Sequence, residues 1–226
     1  MEYRNLHAWN VTPSEAIQIQ KSLASQIREE PLSDNIRYVA GADISFEKFS
    51  DIVYAAFVVI DINSLDVVAH SSVVTEAKFP YIPGLFSFRE SPPLLQAWKQ
   101  LTVEPDVVMF DGQGIAHPRR FGIASHMGLI IDRPSIGCAK TILVGKHGAV
   151  EEEAGSRTAL IDRGEVVGAV VRTKRKVNPV FISVGHRVTL DEATVLALKV
   201  TKGYRIPEPT RQAHLLVNKL RLKERA

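Results

Sequence analysis

The sequence predicts a single α/β domain in which an antiparallel meander of strands precedes strands that alternate with helices. Three observations carry that prediction. Strand-like runs at 38–46, 52–60 and 65–74 follow one another through short connections. Beyond residue 83, helical periods alternate with short apolar runs. No repeat, low-complexity linker or compositional break divides the 226 residues, so the chain reads as one domain over 1–226.

The elements follow in order. Thr12 can serve as an N-cap, Pro13 suits the first helical position, and Glu15 completes a capping box. Ile17, Leu23 and Ile27 then carry a helical stripe up to Glu29, and Pro31 ends it. The second strand run is rich in Val, Ile, Tyr and Phe, and a turn at Asp61-Ile-Asn-Ser64 leads to the third. Residues 83–101 read as helix, interrupted at Pro92-Pro93 where Ser91 can cap a fresh start. A strand at 107–110, a helix at 121–131 and a strand at 135–139 come next. Runs at 159–161 and 166–172 turn at Asp162-Arg-Gly164 like a hairpin, and 180–184 adds a strand. Helices at 190–200 and 207–222 close the chain. The later strands are expected to run parallel, joined by crossover helices.

Composition limits the function classes. Hydrophobic residues at 45% and charged residues at 23% describe a globular protein with a real core. The one cysteine, Cys138, excludes a disulfide framework and a Cys-rich zinc site, and fits a reducing cytoplasm. No apolar stretch approaches the roughly 20 residues a membrane span needs, and the first ten residues contain no leader core. A formal charge of +3 and a pI near 9.0 permit nucleic-acid binding without requiring it.

Candidate chemistry lies in a few stretches. Asp43, in AGADISF, sits within an apolar run where a charge is expensive unless paired or metal-bound; it can equally face solvent. Asp111 ends a core strand, where α/β sheets place ligands and where an Asp also caps turns. Two such acids on adjacent strands come within reach of one divalent ion, and oxygen ligands suit magnesium or manganese. Glu90 and His214 read by themselves as a surface acid beside Arg89 and a packed or solvent-edge helix histidine. The glycines after Asp111 allow close approach of a planar ligand. In FPYIPGLF, two prolines stiffen a loop presenting Tyr81 and Ile82, either a tight connection or a wedge between bases. RTKRK at 172–176 reads as a solvated hairpin end or a phosphate contact, and the acidic run at 151–153 as a solvated loop.

Taken together, AGADISF, FPYIPGLFSFRE, DGQGIAHPRRFGIASHMG, GCAK and RIPEPTRQAH resemble, in order and almost end to end, the endonuclease V family of deoxyinosine-specific repair nucleases. The resemblance implies a ribonuclease-H-like mixed sheet flanked by helices. It implies that Asp43 and Asp111 hold Mg²⁺, with Mn²⁺ able to substitute, and that Glu90 and His214 complete the acidic site. Lys140 matches a lysine beside the scissile phosphate. Pro80, Tyr81, Ile82 and Pro83 match a wedge, and Leu85, Gly112, Gln113, Gly114 and Gly122 match stretches that form the base pocket. Arg89, His117 and Arg119 are expected to contact DNA. The implied reaction cuts the second phosphodiester bond 3′ of the lesion, leaving a 3′-hydroxyl and a 5′-phosphate. The implied partner is deoxyinosine-containing DNA, with inosine-containing RNA a second candidate, acted on by a monomer. A structure-selective nuclease and a non-catalytic damage-binding protein are the rival readings. Residues 146–157 match the family poorly and receive no role.

Overall fold

The structure, a computed structural model, describes residues 1–47 and 50–223. Thr12 caps helix α1 (Pro13–Ala24) through the reciprocal capping box with Glu15. The meander is β1 (Tyr38–Phe46), β2 (Ile52–Asp61) and β3 (Val67–Glu76), paired antiparallel as the sequence predicts. Helix α2 (Phe86–Gln100), β4 (Val107–Phe110), α3 (Ile123–Ile131) and β5 (Ser135–Ala139) follow. Then come β6 (Arg157–Asp162), β7 (Glu165–Val171), β8 (Val180–His186), α4 (Leu190–Lys199) and α5 (Glu208–Lys223). The strands form one mixed eight-stranded sheet in the order β3-β2-β1-β4-β5-β8-β7-β6.

Three expectations need correction. Among the later strands only β4 and β5 run parallel to β1; β6 and β7 form the antiparallel hairpin that the sequence predicts, and β8 pairs antiparallel with β5 and with β7. The link from β7 to β8 is too short for the crossover a parallel pair needs. Helix α1 stops at Ala24 rather than Glu29. The following residues leave the helical path because the Arg28 carbonyl accepts from the Arg187 amide at 2.7 Å, beyond the end of β8. Helix α2 runs unbroken through Pro92 and Pro93, and Ser91 caps nothing; its hydroxyl is buried without a partner. Burial of Pro93, Leu94, Leu95 and Trp98 outweighs the two missing amide donors.

Alternation along β1 divides its side chains between the two faces of the sheet. Ala40 and Ala42 pack with Leu94, Trp98, Ala124 and Met127 from α2 and α3. Val39 joins the cluster that includes Ala193 and Ala197 of α4. Gly41 lies on that second face, and α5 lies flush against it: a Cβ at Gly41 would come within 2.0 Å of the Pro209 carbonyl carbon. This contact fixes where α5 crosses the sheet. The next inward position on the same face is Asp43, and the next turn of α5 after Thr210 brings His214. No helix among the described residues is long and apolar enough to cross a membrane.

Candidate active site

Asp43 and Asp111 meet because β1 and β4 are parallel neighbours in register. Ala42 stands beside Phe110, and the Asp111 amide donates to the Ala42 carbonyl at 3.2 Å. Each acid is one residue further on. With His214 they form a group whose ligand atoms all lie within 4.8 Å of one another. Asp43 is nearly buried, accepting from the Ile44 amide at 2.8 Å and from His214 Nδ1 at 2.7 Å. On its other side His214 Nε2 lies 3.1 Å from Asn218 Nδ2. Asn218 lies one helical turn after His214, a spacing that was visible in the sequence. Asp111 is ion-paired to Lys140 Nζ. Lys140 directly follows β5 and is held from behind: Arg205 donates to its carbonyl at 2.6 Å and to the Pro179 carbonyl at 2.9 Å.

The acids oppose one another. Burial raises the Asp111 carboxyl pKa, and Asp43 adds to the rise while Lys140 draws it back. Glu90, on α2, is pushed up to about 8 by burial, by Asp43 and by Asp111, against a smaller pull from Arg89. Three crowded carboxylates with oxygen and imidazole donors form a site whose repulsion a divalent cation would relieve.

Beside the acids opens a cavity of about 310 Å³ bordered by Gly84, Ser87, Glu90, Asp111, Gly112, Gln113, Gly122, Ile123 and Lys140, among others. The glycines let backbones nest: a Cβ at Gly122 would lie 2.2 Å from the Gln113 carbonyl oxygen. Two residues expected in this pocket are elsewhere. Leu85 is packed in a core cluster with Ala16, Phe79 and Phe88. Gly114 does not border the cavity; it nests against Val184, where a Cβ would meet the carbonyl oxygen at 1.9 Å. Gln20, Ser87, Thr141, Ile142 and Leu143 do border it, although the sequence reading did not single them out.

Above the cavity stands the loop from Phe79 to Leu85. Tyr81 at its tip is 59% exposed, resting against Phe86 at 4.4 Å and Phe46 at 6.0 Å between ring centroids. Pro80 and Pro83 are exposed and Ile82 is half-buried against the cluster beneath. The residues expected to contact DNA brace this loop, and His117 also borders the cavity. Arg89 is buried, donating to the Phe79 carbonyl at 2.7 Å and pairing with Asp51. The Gly84 carbonyl collects donors from Arg119 at 2.6 Å, His117 at 3.0 Å and Gln20 at 3.0 Å. Burial and the Arg119 cation hold His117 down at about 4, so it is a neutral donor. The basic run at 172–176 is partly used internally, with Arg172 on the carbonyls of Val150, Glu151 and Val177 and Arg175 paired to Glu153.

The model of the endonuclease V family matches residues 21–215. The chain belongs to the endonuclease V family. Endonuclease V of Myxococcus xanthus is 53% identical over 214 residues, covering 94% of this chain and 91% of that protein. Among solved structures, endonuclease V of Streptomyces avermitilis has a TM-score of 0.91 at 39% identity over the full length of both chains. Endonuclease V of Ciona intestinalis, solved in complex with a 24mer DNA containing an inosine followed by a ribo-adenosine, has a TM-score of 0.82. It is 27% identical and covers 94% of this chain and 98% of its own.

Proposed function

We propose that the protein is a metal-dependent endonuclease that recognises deaminated bases, deoxyinosine foremost, and hydrolyses the second phosphodiester bond 3′ of the lesion. The products are a 3′-hydroxyl and a 5′-phosphate. One observation carries the reading: Asp43, Asp111 and His214 converge beside a cavity that also meets Glu90 and Lys140. The inosine-containing DNA bound by the Ciona relative supports the choice of substrate. Asp43, Asp111 and His214 would hold Mg²⁺, or Mn²⁺ in its place, with Glu90 joining them on ionisation. When bound, such an ion supplies Lewis acidity to the phosphate and to the attacking water.

The chain's own groups do the rest. Lys140 carries a positive charge to the side of Asp111 where the phosphate would lie, offsetting negative charge that grows in the transition state. Asp43 and Asn218 position the His214 ring. Tyr81 enters the gap left when the base leaves the stack, and the cavity receives that base. Arg89, His117 and Arg119 serve by bracing the wedge loop. We assign the protein to the cytoplasm as a monomer; the buried reduced Cys138 is in keeping with that compartment.

The test uses end-labelled duplexes carrying one deoxyinosine, beside inosine-containing RNA, a flap and a four-way junction, each with Mg²⁺ and with EDTA. Nicking of the deoxyinosine duplex, with Mg²⁺ only and at the second 3′ bond, is expected. Preferential cutting of the flap or junction would replace this reading with a structure-selective nuclease.

A further inference from the structure

Beside the cavity, two histidines and a serine form a chain with no part in the proposed hydrolysis. His126, on α3, is fully buried against Trp9, Phe88 and Phe121. Its Nε2 lies 2.7 Å from His7 Nε2, and its Nδ1 lies 3.0 Å from Ser87 Oγ. The other His7 nitrogen, Nδ1, lies 2.8 Å from the Ala8 carbonyl oxygen. Burial lowers the pKa of both rings, so each is neutral near pH 7.

These contacts admit one arrangement of protons. A carbonyl only accepts, so His7 Nδ1 carries the hydrogen and its Nε2 is a bare acceptor. His126 must then donate from Nε2, which leaves its Nδ1 bare. Ser87 therefore donates its hydroxyl proton to His126. Ser87 borders the cavity one helical turn before Glu90. With its proton committed to His126, the hydroxyl has only lone pairs left to offer.

We propose that Ser87 is a specificity-determining acceptor, polarised by the His126–His7 relay, that selects an extruded base whose edge carries a ring N–H. The proposal rests on reading this cavity as the base pocket. A deaminated purine carries a hydrogen on the ring nitrogen where adenine carries a lone pair. An acceptor that cannot turn donor would bond the first and repel the second. Sites that hydrogen-bond a substrate N–H reject analogues lacking it far more strongly than apolar pockets reject isosteres. His7 and His126 are positioning residues in this scheme, acting only through Ser87.

The experiment compares single-turnover nicking of duplexes carrying 2′-deoxyinosine or 2′-deoxynebularine, whose corresponding nitrogen is bare, with undamaged duplex as control. Ser87→Ala is expected to cost the deoxyinosine duplex roughly ten- to a hundredfold, and the deoxynebularine duplex much less. His7→Phe, remote from the cavity, removes the acceptor for His126 and frees the relay to reverse. It is expected to narrow the ratio of deoxyinosine to deoxynebularine rates about tenfold, roughly one hydrogen bond's worth. Melting curves on each variant separate this from lost stability, which lowers both rates together. Equal losses on the two lesions in Ser87→Ala, or an unchanged ratio in a folded His7→Phe, would overturn the proposal. A wild-type protein that fails to prefer deoxyinosine over undamaged duplex would overturn the base-pocket reading, and the role of Ser87 with it.

Discussion

The acidic centre and the wedge loop lie side by side, and they are held in opposite ways. Asp43 and Asp111 project from paired strands, and each acid is already matched by a cationic or donor side chain, His214 or Lys140. The loop presents an exposed tyrosine, while its backbone is pinned from beneath by Arg89, His117, Arg119 and Gln20 on carbonyls. In one region side chains are neutralised and the backbone is regular. In the other the backbone is irregular and its carbonyls are neutralised. Charged residues beneath this loop thus stiffen the element that presents Tyr81.

The comparison predicts that the two regions fail differently. The largest effect belongs to the acids. Asp43→Ala and Asp111→Ala should each abolish nicking while leaving lesion affinity within a few-fold, as read by gel shift. The double variant should be scarcely worse than either single, because groups that act as a unit do not add. Losses that multiply would show two independent functions.

Next comes the contact that seats α5. Gly41→Val places a branched side chain where even a Cβ would lie 2.0 Å from Pro209. It should cost about 1–3 kcal/mol by overpacking and draw His214 away from Asp43, lowering both the melting temperature and the nicking rate of the folded fraction. Full activity at reduced stability would separate α5 placement from the chemistry.

Tyr81→Ala should weaken binding to deoxyinosine duplex roughly ten- to a hundredfold, the worth of one stacked aromatic, with single-stranded deoxyinosine little affected. Equal loss on both would mean that Tyr81 contacts the base itself.

The smallest effect is on pH. Burial holds His117 and His186 at about 4 in the fold, against 6.5 for the ordinary imidazole. Below pH 6.5 the unfolded chain takes up protons that the fold refuses until about pH 4, so these groups remove stability as pH falls through that window. Glu90 acts in the other sense: its stabilising contribution is present below its unfolded value and lost as pH rises through about 8. His186→Phe should therefore flatten the fall in melting temperature between pH 6.5 and 4 and leave the alkaline side unchanged. An identical acid limb would remove His186 from the account.

Much of this was legible in the sequence because the governing signals are local. β1, β4 and β5 begin and end where apolar runs begin and end, and the Thr12–Glu15 box announces α1. The convergence of Asp43 and Asp111 needed only two adjacent strands. What could not be read depends on partners distant in the chain. The end of α1 is set by a bond to Arg187, and the continuity of α2 through two prolines by burial against the sheet. The antiparallel pairing of β8 with β7 follows from a short link that could have been counted. Leu85, Gly114, Arg89, His117 and Arg119 lie in recognisable motifs, yet only tertiary packing shows that Leu85 and Gly114 lie outside the cavity and that the other three hold the carbonyls of the loop. The His7–His126–Ser87 chain joins residues up to 119 apart in sequence, and no spacing announces it.

In the proposed function the strand-borne acids, and not the loop, hold the metal. Mn²⁺ titration followed by loss of the free-ion electron paramagnetic resonance signal tests it without reference to activity. Wild-type protein and Tyr81→Ala should bind Mn²⁺ with the same affinity, and Asp111→Ala should bind at least about tenfold more weakly, as expected for a lost charged ligand. A folded Asp111→Ala protein that binds Mn²⁺ as tightly as wild type would contradict the assignment.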